Sequence, residues 1–321
     1  MEFDLIARIQ RRARQRGDVV TGIGDDAAVL RPGEGRELVV TTDVLNEGVH
    51  FLAAHPPADI GWKALAVNLS DLAAMGAAPA WCTLALTLPG PDAAWCDAML
   101  DGFFALADTH DVALVGGDTT RGPLALGVTA IGQVEPARVL RRAGAMPGDD
   151  IWVSGTLGDA AAALALAPAA GGDAPDAFLR ERLQRPTPRV ALGRALAGVA
   201  RAGIDLSDGL LADLGHICKA SGVGARVMLD ELPASPPLVA AAGGRDARWN
   251  WQVAGGDDYE LCVTASPEAR ERILSAAGAA GVPVTRIGVI TDPAPAGPAV
   301  RLVDPGGESW VPDRSGYQHF A

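Results

Sequence analysis

The stretch Asp59 to Met75, DIGWKALAVNLSDLAAM, is apolar on nearly every side of a helix. A helix with that pattern is stable only inside a protein, where other elements cover all its faces. Asp71 is the only ionisable residue between Ala66 and Ala77. An unpaired buried charge costs several kcal/mol, so Asp71 requires a polar partner or a metal ion.

The rest of the chain supplies the covering layers. An amphipathic N-terminal helix, MEFDLIARIQRRARQRG, has no apolar core of the signal-peptide kind. Ala27 to Leu30, the turn RPGEG and Leu38 to Asp43 read as a hairpin-like pair of strands. Ala80 to Leu88, the run DVALVGGD and Leu124 to Val134 read as strands, with a helix over Asp92 to Thr109. After the junction RRAGAMPGDDIWVSG (Arg141 to Gly155), strands are expected at Ile151–Ser154, within AGIDLSDG, at Ala225–Leu229 and at Val284–Ile290. Helices are expected at Gly158–Leu166, Asp176–Leu183, Arg189–Ala200, Gly209–Ser221 and Pro267–Ala279, with loops at Gly171–Pro175 and Pro233–Pro237. Strands and helices mix in both halves, which gives an α/β (α+β layered) fold. A chain of 321 residues, 49% of them hydrophobic, is long enough for two domains with sizeable cores. The division is drawn at 1–138 and 139–321.

Charge and composition exclude several functions. A formal charge of −12 argues against binding a nucleic-acid backbone, which draws on clustered Lys and Arg. Lysine occurs only at Lys63 and Lys219, neither after a glycine run, so there is no Walker A loop. No apolar stretch reaches the roughly 18 residues of a membrane helix. Cys82, Cys96, Cys218 and Cys262 form no C-x-x-C pair and lie in apolar surroundings, as buried free thiols of a reducing cytoplasm do.

The segment GIGDDAAVL (Gly22 to Leu30) matches a loose dinucleotide fingerprint, but Pro32, Gly33 and Gly35 forbid the helix that fingerprint needs. Asp25 and Asp26 would also repel a pyrophosphate unless a cation lay between; Asp25 reads as a turn or cap residue. Carboxylates recur at the ends of apolar elements: Asp26, Asp43 beside Thr41 and Thr42, Asp71, Asp118, Asp205 and Asp208, then Asp257 and Asp258. Taken singly these are turn or cap residues, and Asp208 reads equally as the N-cap of its helix. As a set they are oxygen-rich and suit hard divalent cations, Mg²⁺ above all when phosphates complete its shell.

Seven ordered blocks, GIGDDAAV, TTDVLNEGVHF, ALAVNLSDLAAMGA, GGDTTRG, IDLSDGL, GGDDYEL and the terminal GYQHF, resemble the bacterial thiamine-monophosphate kinases. That family shares a superfamily with aminoimidazole ribonucleotide synthetase and selenophosphate synthetase. The resemblance implies two α/β domains with the site in the cleft between them, and a homodimer joined through the N-terminal sheets. It implies ATP-dependent phosphorylation of thiamine monophosphate to thiamine diphosphate, with several Mg²⁺ ions held by Asp26, Thr41, Thr42, Asp43, Asp71, Asp118, Asp205 and Asp208. Gly117, Asp118, Arg142 and Ser207 are implied to contact ATP, and His50, Glu260 and Tyr317 the thiamine substrate. No catalytic base is expected, because the acceptor phosphate is largely ionised near neutral pH, and transfer is expected to be direct and in line. Met99 and Leu100 stand where the family often carries an aromatic pair. Selenophosphate synthetase is disfavoured by the lack of any Cys before Cys82, and a hydrogenase-maturation dehydratase by the ending HFA. The alternatives are aminoimidazole ribonucleotide synthetase and a non-catalytic nucleotide or thiamine-phosphate sensor.

Overall fold

The computed structural model describes residues 2–167, 176–293 and 299–319, so the loop expected at Gly171–Pro175 lies outside the described residues. The chain forms two compact units, Met1–Leu72 with Ala77–Ala137, and Ala73–Gly76 with Arg138–Ala321.

The first unit holds α1 (Glu2–Arg12), β1 (Val19–Thr21), β2 (Val29–Leu30), β3 (Glu37–Asn46), α2 (Pro57–Ala74), β4 (Ala78–Leu88), α3 (Ala93–Thr109), β5 (Ala113–Arg121) and β6 (Ala125–Val134). Four strands make a sheet in the order β3-β6-β4-β5, with only β4 and β5 parallel. The hairpin expected across RPGEG does not form: β2 pairs with β1, and β3 pairs with β6 over ten residues in unbroken register. The alternating ten-residue strand needs a partner of its own length, which the two-residue β2 is not.

One face of this sheet is buried and carries Leu45, Leu84, Leu86, Leu126 and Val128, whereas Leu38, Val40 and Val44 on the other face of β3 are exposed. Asp92 caps α3 by accepting the Trp95 N–H. Helices α2 and α3 approach so closely that a Cβ on Gly102 would lie 1.7 Å from the Ala58 carbonyl oxygen. The first helix is seated by charge: Arg8 and Arg12 each reach an α3 aspartate, Asp97 and Asp101, at 2.6 Å. Arg14 and Arg16 pair with Asp111 at 3.0 and 2.8 Å, and the Arg12 guanidinium sits 5.3 Å over the Phe104 ring.

The second unit has β7 (Asp150–Ser154), α4 (Asp159–Ala165), α5 (Ala177–Gln184), α6 (Val190–Leu196), β8 (Ala202–Asp205), α7 (Leu210–Ser221), β9 (Gly224–Met228), α8 (Pro236–Ala241), α9 (Arg245–Ala254), β10 (Leu261–Ala265), α10 (Arg270–Ala280), β11 (Val284–Thr291), β12 (Val300–Val303) and β13 (Ser309–Trp310). Its sheet runs β13-β12-β9-β11-β7-β10-β8, antiparallel except for β12 with β9. Leu210, Leu214 and Ile217 of α7 and Trp249 and Val253 of α9 pack with Ile151, Val153, Ile204 and Val227 of the strands. The stretch expected as a proline-rich loop instead opens α8: Ser235 caps it by accepting the Leu238 N–H, and proline suits a first turn whose N–H groups have no helical partner.

Candidate active site

In the first unit, β3 alternates its side chains while α2 repeats every three to four residues. Thr41 and Asp43 therefore share the face that meets Asn68 and Asp71, one helical turn apart. Thr41 Oγ1 donates to Asp71 Oδ2, and the Asp43 N–H donates to Asn68 Oδ1 at 3.1 Å. Asp71 thus has the polar partner its apolar helix demands. Thr42 projects from the other face and its hydroxyl bonds with that of Thr129. His50 Nδ1 accepts the Asn46 N–H at 3.0 Å, so the neutral ring carries its proton on Nε2. The buried Lys63 donates to the His50 carbonyl at 3.3 Å.

Asp26 is exposed in the loop between β1 and β2, and its N–H donates to Asp25 Oδ1 at 2.9 Å. Asp25 is thus a turn residue. Gly117 and Asp118 lie on β5. A side chain on Gly117 would put its Cβ 1.9 Å from the Leu84 carbonyl oxygen, and the residue holds φ at +151°, so only glycine fits. Asp118 is exposed and its Oδ1 accepts the Thr119 N–H at 2.9 Å. The register runs Asp43, Val128, Leu84, Gly117 across the whole sheet. Asp43 and Asp118 therefore belong to opposite edge strands, roughly 14 Å apart at three strand spacings. Met99 and Leu100 are fully buried and offer no stacking surface.

In the second unit, Asp205 ends β8 and is buried, while Ser207 and Asp208 are half-buried in the turn before α7. Asp208 is not the N-cap: that position is Gly209, with no side-chain cap. Instead the buried Asp213 reaches back from α7, and its Oδ2 accepts the N–H groups of Ser207, Asp208 and Gly209 at 3.0, 3.1 and 3.1 Å. Burial pushes the Asp213 pKa up to about 7; the amide hydrogen bonds oppose that rise and the nearby Asp208 charge adds to it. Sequence reasoning missed Asp213, although a carboxylate four residues into a helix that starts with glycine is a reach-back signal of the capping-box kind.

The same turn is held from its other side. Leu206 N–H donates to the Glu260 carbonyl at 2.8 Å, and Leu206, Ser207 and Asp208 carbonyls accept from the N–H groups of Tyr259, Asp257 and Tyr317 at 2.8, 2.9 and 3.1 Å. Asp257 and Tyr259 reach these positions with left-handed φ of 67° and 49°, unusual for residues with side chains. Tyr317 is 48% exposed, its ring meeting that of His319 edge-on. Arg142 is exposed, and its carbonyl accepts from Ser221.

Glu260 is fully buried. Its Oε1 accepts from Arg182 at 2.8 Å, its Oε2 from Arg189 at 2.7 Å and from Ser154 at 2.5 Å. Both oxygens are committed inside the protein, and Arg182 and Arg189 are functional candidates that the sequence motifs did not mark. Among the described residues no three His, Cys, Asp or Glu side chains form a cluster able to hold a metal ion. The donors present are aspartate and threonine oxygens, which fit a hard cation that takes its remaining ligands from phosphate and water.

The profile of AIR synthase related protein, N-terminal domain, matches residues 24–134, and that of the C-terminal domain matches residues 146–297. Thiamine-monophosphate kinase of Salmonella typhimurium is 49% identical over 324 aligned positions, covering 100% of this chain and 98% of the relative. The crystal structure of thiamine-monophosphate kinase from Stenotrophomonas maltophilia K279a has a TM-score of 0.86 at 54% identity, covering 96% of this chain and 98% of that one. AaThiL complexed with AMPPCP and TMP has a TM-score of 0.78 at 31% identity, covering 99% of this chain and 96% of that one. Full-length identity at this level joins the two halves of the molecule to one lineage: the chain belongs to the thiamine-monophosphate kinase family of AIR synthase related proteins.

Proposed function

We propose that this protein transfers the terminal phosphoryl group of ATP to thiamine monophosphate, giving ADP and thiamine diphosphate. The observation that carries this reading is the likeness over 99% of the chain to AaThiL complexed with AMPPCP and TMP, together with 49% identity to a thiamine-monophosphate kinase. Asp26, Thr41, Thr42, Asp43, Asp71, Asp118, Asp205 and Asp208 are assigned to Mg²⁺. Gly117, Asp118, Arg142 and Ser207 are assigned to ATP, and His50 and Tyr317 to thiamine monophosphate. Glu260 acts on the substrate through Arg182 and Arg189, since its own oxygens are committed to them and to Ser154.

The chemistry follows from the groups available. Two polyphosphates repel each other, and this chain is itself acidic, with a formal charge of −12. Bound Mg²⁺ supplies the charge neutralisation that lets donor and acceptor approach. His50, whose Nδ1 accepts the Asn46 N–H at the end of β3, is assigned to an anionic group of the substrate. Tyr317 presents an exposed aromatic face suited to a cationic thiazolium. No side chain needs to take a proton, because the acceptor phosphate is already an anion.

The protein acts as a homodimer in the cytoplasm in this reading. The exposed Leu38, Val40 and Val44 on one face of the four-stranded sheet support the dimer, since apolar residues grouped on one sheet face mark an interaction surface. Among the described residues no helix is long and apolar enough to cross a membrane.

An ADP-release assay with thiamine monophosphate, ATP and Mg²⁺ tests the function. Release that requires thiamine monophosphate supports it; folded protein that releases no ADP with adequate metal sinks it.

A further inference from the structure

We propose that Asp213 is a positioning residue for the phosphoryl transfer: it fixes the Ser207–Gly209 backbone so that Ser207 faces the nucleotide and Asp208 faces the metal. The inference rests on the reading above for what Ser207 and Asp208 touch.

Three consecutive amides, those of Ser207, Asp208 and Gly209, converge on one oxygen of Asp213. Successive N–H groups that converge in this way form a concave anion-binding nest, and phosphate is a frequent occupant of such nests. Here the chain fills the nest with its own carboxylate, which is only 3% exposed. A phosphate is thereby kept off these amides and left to the outward side of the turn.

The remaining backbone groups of the turn are accounted for as well. Leu206 is bound through both its N–H and its carbonyl, and the Ser207 and Asp208 carbonyls accept from Asp257 and Tyr317. With the amides and carbonyls of Leu206, Ser207 and Asp208 all engaged, only their side chains are left to choose a direction. Asp213 supplies two of these bonds, to the Ser207 and Asp208 amides, and a third to the Gly209 amide, so its substitution frees three amides at once.

The test compares wild type with Asp213→Asn and Asp213→Glu, reading the Mg²⁺ concentration for half-maximal activity, KM for ATP, KM for thiamine monophosphate, and Tm. Asp213→Asn keeps an acceptor oxygen and loses the charge; Asp213→Glu keeps the charge and displaces it by one methylene. The expected result is an increase of about tenfold or more in the Mg²⁺ requirement and in KM for ATP, with KM for thiamine monophosphate held within about twofold. A lower Tm with Mg²⁺ and ATP dependence unchanged overturns the proposal, and so does an equal rise in both KM values. If Asp213→Asn does not fold, the same split in Asp213→Glu decides the matter; failure of both variants to fold assigns Asp213 to stability and overturns the proposal. Calorimetric binding of Mg²⁺ with a non-hydrolysable ATP analogue separates this outcome from failure of the kinase reading. If the wild type lacks turnover, weaker binding in the variants still supports the positioning role, and equal binding removes it.

Discussion

At Glu260, burial and pairing act in opposite directions. Burial pushes its pKa up, but the hydrogen bonds and charges of Arg189 and Arg182, with Ser154, more than offset this and leave it below the usual 4.5 of a glutamate. The folded state therefore binds fewer protons here than the unfolded chain. The pair's contribution to stability is complete above the ordinary glutamate value and is lost as pH falls through the lowered one. Glu260→Gln leaves two arginines without their counter-charge and is expected to cost about 3 kcal/mol at neutral pH. Urea unfolding measures that cost, and the gap from wild type is expected to shrink in acid; a gap that stays constant with pH contradicts the ion-pair account. Asp43→Ala is expected to abolish turnover in the ADP-release assay while the strand keeps its tie to Asn68, which runs through the Asp43 backbone N–H. Retained activity in that variant removes Asp43 from the site.

Helix α2 was legible to within about two residues, because an apolar pattern on all sides has one stable solution, burial. The seam between β2 and β3 was not, since a Gly/Pro turn between two apolar runs looks the same whether it closes a hairpin or links two sheets. Ser235 with Pro236 and Pro237 carried a helix-start signal that proline count alone hid. Of the site, motif aspartates were visible as a recurring pattern; Asp213 was overlooked although its reach-back to Ser207–Gly209 is local, whereas Arg182 and Arg189 meet Glu260 through long-range contacts that no local spacing encodes. At the element scale the tightest constraint is the α2–α3 crossing. Gly102→Ala drives a methyl toward the Ala58 carbonyl oxygen and is expected to destabilise the protein by about 1–3 kcal/mol, read as a lower Tm. An unchanged Tm means the two helices part without penalty.

At the scale of the whole molecule, the open face of the four-stranded sheet is the contact face of the proposed dimer. Val40→Lys with Val44→Lys is expected to halve the mass measured by light scattering, since two exposed valines on β3 become charges on the proposed contact face. A wild-type protein that is already monomeric, or a double variant that keeps the wild-type mass, removes the dimer. The first helix follows a different physics from the sheets. Arg8 and Arg12 seat it on Asp97 and Asp101, and Arg14 and Arg16 just beyond it pair with Asp111, with arginine side chains between 17% and 44% exposed. Such half-open pairs lie within reach of dissolved ions, and at about 1 M salt the screening length shrinks to roughly 3 Å. The N-terminus thus behaves as a latch that brine unfastens: in concentrated sodium chloride, trypsin is expected to cut within residues 8–16 while both sheets stay whole.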